Sequence, residues 1–175
     1  MINDDLKNNI PNKIHIIGSV GSGKTTLART LSSKLNIPHF ELDNVVWMRF
    51  KTGDIKRSEE ERDRCLRSII ESTAWIIEGV HYKWVLQSFQ KADLIIFLDT
   101  SYSKRIYRII KRFILQKIGV EKANYQPTFK IFKDMFNWNA HFENKSRPEI
   151  IKMLDQFSSK LITLKDNMEI GRFFS

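Results

Sequence analysis

A chain of 175 residues with 42% hydrophobic content can bury one core, and a single domain over 1–175 is expected. No apolar run approaches the roughly 20 residues that cross a bilayer, and the acidic start Met1-Ile2-Asn3-Asp4-Asp5-Leu6 lacks a secretory pattern. A lone Cys65 excludes a disulfide framework and a thiol metal cluster, so a cytoplasmic protein with no membrane partner is expected.

The elements alternate along the chain. Lys13-Ile14-His15-Ile16-Ile17 reads as a buried strand, and Leu27, Ala28, Leu31 and Leu35 recur at helical spacing up to about residue 36. Between them Gly18-Ser19-Val20-Gly21-Ser22-Gly23-Lys24-Thr25 spells G-x-x-x-x-G-K-T, a phosphate-binding loop in its proper strand–turn–helix context. Its glycines let consecutive N–H groups face phosphate oxygens, and the following helix favours the same anion. Pro38 to Asp43 reads as a second strand with an acid at its end. A helix starts at Ser58, an N-cap followed by Glu59, Glu60 and Glu61. Ala74-Trp75-Ile76-Ile77-Glu78 is a third strand, stopped by Gly79, and Asp93 to Asp99 a fourth. A helix follows over Ser101–Lys117, and Lys160 to Leu164 makes a fifth strand. This alternation predicts an α/β fold, a parallel sheet between helices.

Ligands collect at the carboxyl ends of strands in such sheets. Gly18, Ser19, Gly21, Ser22, Gly23, Lys24, Thr25 and Thr26 are the candidates for binding ATP, with Lys24 on the β/γ-phosphates and Thr25 on Mg²⁺. Glu78 has the form of a second Mg²⁺ ligand, and Asp43 of the base that orients an acceptor. Asp99 reads better as an N-cap for the helix from Ser101. Along that helix Arg105, Arg108 and Arg112 share one face, while Ile106, Ile109, Ile110, Phe113 and Lys117 share another. The isoleucines and Phe113 are expected to meet the core, leaving Arg108 and Arg112 to close over the triphosphate. Arg147, opening a later helix, is a further candidate for reaching the nucleotide.

The net charge of +9 also invites a nucleic-acid partner. Seven cations and one acid, Glu121, fall between Lys104 and Lys122, and a triphosphate needs such a cluster as much as DNA does.

These segments, with Leu42-Asp43-Asn44-Val45-Val46-Trp47, Ile95-Ile96-Phe97-Leu98-Asp99 and Lys145-Ser146-Arg147-Pro148, resemble the bacterial topology modulation family. That family is similar to adenylate and shikimate kinases. The resemblance implies a three-layer P-loop NTPase fold, a five-stranded sheet of order 2-3-1-4-5, and a helical lid at about 113–146. Adenylate kinases carry an arginine after the third strand that clamps AMP, and Glu78-Gly79-Val80-His81-Tyr82 lacks it. Gly119 to Tyr125 has no lid arginine, so closure would fall to Arg108, Arg112 and Lys122. The absence of an Asn-Lys-x-Asp motif argues against a GTPase. The expected function is a kinase that transfers the γ-phosphoryl group of ATP to a nucleotide, nucleoside or other small metabolite. The alternative is a regulatory ATP-binding protein or ATPase that associates with DNA.

Overall fold

Both faces of the first strand are apolar, and the fold covers both. The computed structural model describes residues 10–50, 53–120 and 128–173. In β1 (Lys13–Gly18), Ile14 and Ile16 point to one side and His15 and Ile17 to the other, and all four are fully buried. After β1 come α1 (Lys24–Leu35), β2 (His39–Glu41) and α2 (Leu42–Val46). The two-residue strands β3 (Trp47–Met48) and β4 (Ile55–Lys56) then pair as an antiparallel ribbon. Next are α3 (Glu59–Ile70), β5 (Trp75–Gly79), α4 (Leu86–Lys91), β6 (Leu94–Leu98) and α5 (Tyr102–Lys117). The chain continues through α6 (Phe129–His141), a π-helical turn (Phe142–Ser146) and α7 (Arg147–Leu154). A 3-10 turn (Asp155–Lys160), β7 (Leu161–Leu164) and a last 3-10 turn (Asn167–Arg172) complete it.

Five strands make one parallel sheet in the order β2-β5-β1-β6-β7, which is 2-3-1-4-5 when the short ribbon is set aside. One face packs Ile14, Ile16, Ile76 and Ile96 against Leu27, Ala28 and Leu31 of α1 and against Ile170. The opposite face packs Ile17, Ile77, Ile95 and Phe97 against α3, α4 and α7, through Leu66, Ile70, Phe89, Ile150 and Leu154. The result is the expected three-layer α/β arrangement. Register then sets the site: Ile16 lies opposite Glu78, Glu78 opposite Glu41, and Gly18 opposite Leu98, so the carboxyl ends stand level.

Capping follows local chemistry where the sequence predicted it. Ser58 Oγ accepts from Glu61 N while the Glu61 carboxylate accepts from Ser58 N, a reciprocal capping box at the start of α3. No helix among the described residues is long and apolar enough to cross a membrane.

Three expectations are corrected. The second strand ends at Glu41, and Asp43 lies in the first turn of α2 rather than at a strand end. Leu42, Val45 and Val46 are all buried, and that spacing of three and four reaches the core only from a helix. The helix after β6 is turned about its axis from the expected orientation: Ile109 is buried as expected, but Arg105 is buried beside it, whereas Ile110, expected in the core, is 39% exposed and Ile114 52%. The buried face lies on the phosphate loop, where a Cβ added to Gly21 would stand 2.8 Å from the Arg105 carbonyl oxygen and 3.2 Å from Ile109 Cγ1. Finally, Asp99 does not cap α5. Ser101 is the N-cap without a side-chain bond, and Asp99 is ion-paired instead.

Within residues 113–146, expected from the sequence to form a lid, α6 packs on α5 through Phe113 and Phe132, stacked at 4.2 Å, and Phe132 meets Phe136 edge-on at 4.9 Å. Lys122, expected to help close the lid, lies outside the described residues, as do Glu121 and residues 123–127.

Candidate active site

The phosphate loop is held in shape before any ligand arrives. Gly21 and Gly23 have φ of 74° and 98°, in the left-handed region that a side chain strains. A Cβ on Gly23 would also stand 2.9 Å from Asn167 Oδ1. Gly23 caps α1 with no side-chain hydrogen bond, so the first-turn N–H groups are open to an anion. Lys24 Nζ donates to the Ser19 carbonyl at 3.0 Å, and Ser22 N donates to the same oxygen at 3.2 Å. The buried Ser22 Oγ has no partner among the described residues, which suits a loop made to receive phosphate oxygens. Thr26 is exposed beside it, and its carbonyl accepts from Thr30 Oγ1.

In the first turn of α1, the Thr25 hydroxyl donates to Glu78 Oε1 at 2.6 Å. The β1–β5 register creates this contact, since Glu78 lies one residue before the end of β5, opposite Ile16 and beside the loop. Glu78 is 4% exposed, and burial pushes its carboxyl above the usual range, against the pull of Lys24 and the Thr25 bond. A hydroxyl and a carboxylate beside a phosphate loop are hard oxygen donors, and they fit Mg²⁺. No group of three or more His, Cys, Asp or Glu is placed for a metal among the described residues. A cation here would therefore complete its shell with phosphate oxygens and water.

Asp43 stands on the β2–β5 side of the loop. His81 Nε2 lies 3.6 Å from its Oδ1 and holds the carboxyl below its usual range, helped by the charges of Lys24 and Arg49. The Asp43 side chain is 64% exposed, so the carboxylate is open to solvent and to an incoming molecule. His81 rests on Trp84 with ring centroids 5.3 Å apart, and the Arg62 guanidinium covers the Trp84 ring at 4.5 Å.

The arginines take different places. Arg108 Nη1 donates to the Ser22 carbonyl at 2.8 Å, and Nη2 reaches Asp166 at 2.8 Å and Asn167 at 3.1 Å. It therefore bridges the phosphate loop to the segment after β7. Arg112 faces α6, with Nη2 3.6 Å from Met135 Sδ. Arg147 grips Asp99 in a two-pronged pair, Nε to Oδ1 at 2.6 Å and Nη2 to Oδ2 at 2.8 Å. Lys165 adds a third bond at 2.6 Å, and these cations pull the Asp99 pKa down to about 2. A cavity of about 450 Å³ opens beside this pair, lined by Thr100, Lys104, Glu143, Lys165 and Asp166 among others. It lies on the β6–β7 side, away from Asp43 and Glu78.

Three residues near the loop were not singled out from the sequence as site residues. Arg105 is 1% exposed and ion-paired with Glu143 of the π-helical turn. Asn139 of α6 accepts a hydrogen bond from Ser19 Oγ, and His81 partners Asp43. His81 had a legible signal, its place just after a strand end. Asn139 had none, since a lone asparagine inside a helix reads as surface.

The basic segment changes its meaning once placed. Of its arginines, Arg105 is buried and Arg108 and Arg112 turn inward. The exposed lysines, Lys104, Lys111 and Lys117, are interleaved with exposed Tyr107, Ile110 and Ile114.

The family model described as "AAA domain" matches residues 14–119, and the chain belongs to that P-loop family. It is 27% identical over 164 residues to the uncharacterized protein YqaC of Bacillus subtilis, covering 90% of each chain. It is 24% identical over 165 residues to a shikimate kinase of Enterococcus faecalis, covering 82% of this chain and 96% of that one. Among solved structures it is similar to a shikimate kinase from Bacteroides thetaiotaomicron. There the identity is 17%, the coverage 90% and 88%, and the TM-score 0.48.

Proposed function

We propose that the chain is a P-loop phosphotransferase that moves the γ-phosphoryl group of ATP onto a small, hydroxyl-bearing acceptor. The carrying observation is the 2.6 Å contact of Thr25 with the buried Glu78, beside Lys24 on a left-handed glycine turn. A buried carboxylate held on a phosphate loop has little structural use and a direct use as a cation ligand. Membership in a P-loop family and the shikimate kinases among its relatives support the same reading.

Backbone N–H groups from Gly18 to Thr26 would cradle the phosphates, with Lys24 exchanging the Ser19 carbonyl for the β/γ-phosphate oxygens. Thr25 and Glu78 would hold Mg²⁺, which neutralises charge on the phosphates when bound. Asp43 would accept the acceptor's hydroxyl proton as its oxygen bonds to the γ-phosphorus and the bond to the leaving ADP oxygen breaks. His81 keeps that carboxylate ionised and in place. Arg108 already touches the loop at the Ser22 carbonyl and would meet the charge that develops. Arg112 and Arg147 would join only by leaving Met135 and Asp99. Likeness to topology modulation proteins adds no acceptor to this picture.

The test is transfer of label from γ-labelled ATP to pooled nucleosides, nucleotides, sugars and hydroxy acids, with Lys24→Ala as the control. Transfer by the wild type that the variant loses is the expected result. Slow release of inorganic phosphate with no labelled acceptor in any pool would replace the kinase by an ATPase.

A further inference from the structure

Asn139 occupies a position where an apolar side chain would be less costly. Met135 and Asn139, one turn apart, are the buried residues of α6. Met135 meets Arg112, while Asn139, wholly buried, meets the phosphate loop. Its amide is half satisfied. Ser19 Oγ donates to Oδ1 at a long 3.4 Å, and Nδ2 has no partner among the described residues. Turning the amide over only moves the deficit, because Oδ1 is then the atom left without a donor. A buried polar atom without a partner is costly in any state where it stays unpaired, so its retention calls for a reason.

Its neighbours identify the missing acceptor. Ser19 is the second residue of the loop, and its carbonyl receives Lys24 Nζ at 3.0 Å. The lysine of such a loop reaches the β- and γ-phosphates, so Ser19 and Asn139 stand at the terminal-phosphate end. An amide N–H is a neutral donor that suits a phosphate oxygen, and it adds no charge to a loop that already holds a lysine. We infer that Asn139 Nδ2 donates to an oxygen of the γ-phosphoryl group, so that α6 distinguishes a bound triphosphate from a diphosphate. The inference rests on the ATP-binding reading above.

The test measures the affinity of the full chain for MgATP and MgADP by calorimetry, with the ligand-free melting midpoint alongside. Asn139→Leu should weaken ATP about tenfold to a hundredfold, the usual worth of a hydrogen bond to a charged group, and leave ADP nearly unchanged. Its ligand-free midpoint should move little, because the variant removes the orphaned Nδ2 together with the acceptor of the buried Ser19 hydroxyl. Asn139→Asp keeps an acceptor for Ser19 but turns a negative charge toward the phosphate. It should therefore lose ATP affinity at least as severely. Equal losses for ATP and ADP would make Asn139 a support of the loop and overturn the inference. So would wild-type affinities for both nucleotides in both variants, with the ATP-binding reading left standing. A wild type that binds neither nucleotide, like the Lys24→Ala control, would overturn both together.

Discussion

His15 should make this protein lose stability on mild acidification, beginning as the pH falls through 6.5. The ring is wholly buried on β1, with Nδ1 2.7 Å from Ser88 Oγ and the imidazole 4.1 Å from the Phe89 ring, and Nε2 has no partner among the described residues. Burial lowers its pKa from 6.5 to about 3. The unfolded chain therefore takes up a proton as pH falls through 6.5, and the folded chain refuses it until about 3. Folding stability is fully present above pH 6.5 and falls by up to about 1.4 kcal/mol per pH unit below it. By about pH 4.5 the loss is about 2–3 kcal/mol, a large share of an ordinary domain's stability. The Asp99 contribution disappears only between 3.8 and about 2, below the interval from about pH 7 to about pH 4.5 over which His15 is read. His15→Leu removes the titration without stranding Ser88, whose hydroxyl still donates to the Val85 carbonyl at 2.9 Å. Urea unfolding of both proteins at constant ionic strength, at about pH 7 and about pH 4.5, gives the required difference. The variant should gain about 2–3 kcal/mol on the wild type over that interval. A difference that does not move with pH, or ring ¹⁵N shifts showing an imidazolium at pH 4.5 in the folded protein, would refute the argument.

Asp43→Asn should preserve MgATP affinity and cost roughly 10²–10⁴-fold in phosphoryl transfer, measured as kcat once an acceptor is in hand. A wild-type rate would leave Asp43 without a role as base. Glu78→Gln should shift the Mg²⁺ titration of turnover to higher metal while leaving the fold intact by circular dichroism, because glutamine keeps the Thr25 acceptor. Arg108→Ala should lower kcat by about 10²-fold while ATP affinity falls much less, since a guanidinium on developing charge acts mainly in the transition state. Comparable losses in both would instead assign Arg108 to ground-state binding. Gly79→Ala should destabilise the fold by about 1–3 kcal/mol in urea unfolding, because its Cβ would lie 2.7 Å from Leu42 Cδ1 in a fully buried contact.

Local rules made much of this protein legible in its sequence. The loop from Gly18 to Thr25 needs its glycines for backbone geometry and its lysine for charge, so function and local conformation demand the same residues. Four of the five sheet strands, all but β2, are short and mainly apolar runs, and the Ser58 capping box is closed by residues three apart. Such features depend on neighbours along the chain, which a reader of the sequence also sees. The misread features depend on residues far away. Periodicity showed that Arg105, Arg108 and Arg112 share a side of α5, yet not that this side, with Ile109, would press on Gly21 while Ile110 faced out. Asp99 had every local mark of a helix cap, but Arg147 and Lys165 lie 48 and 66 residues on and claim both its oxygens. Asn139 pairs with Ser19 across 120 residues. Helical spacing specifies which side chains stand together on an element. Which surface they meet is decided by how the elements pack against one another, because the cost of a buried charge or amide is set by the partner that arrives and not by the residue itself.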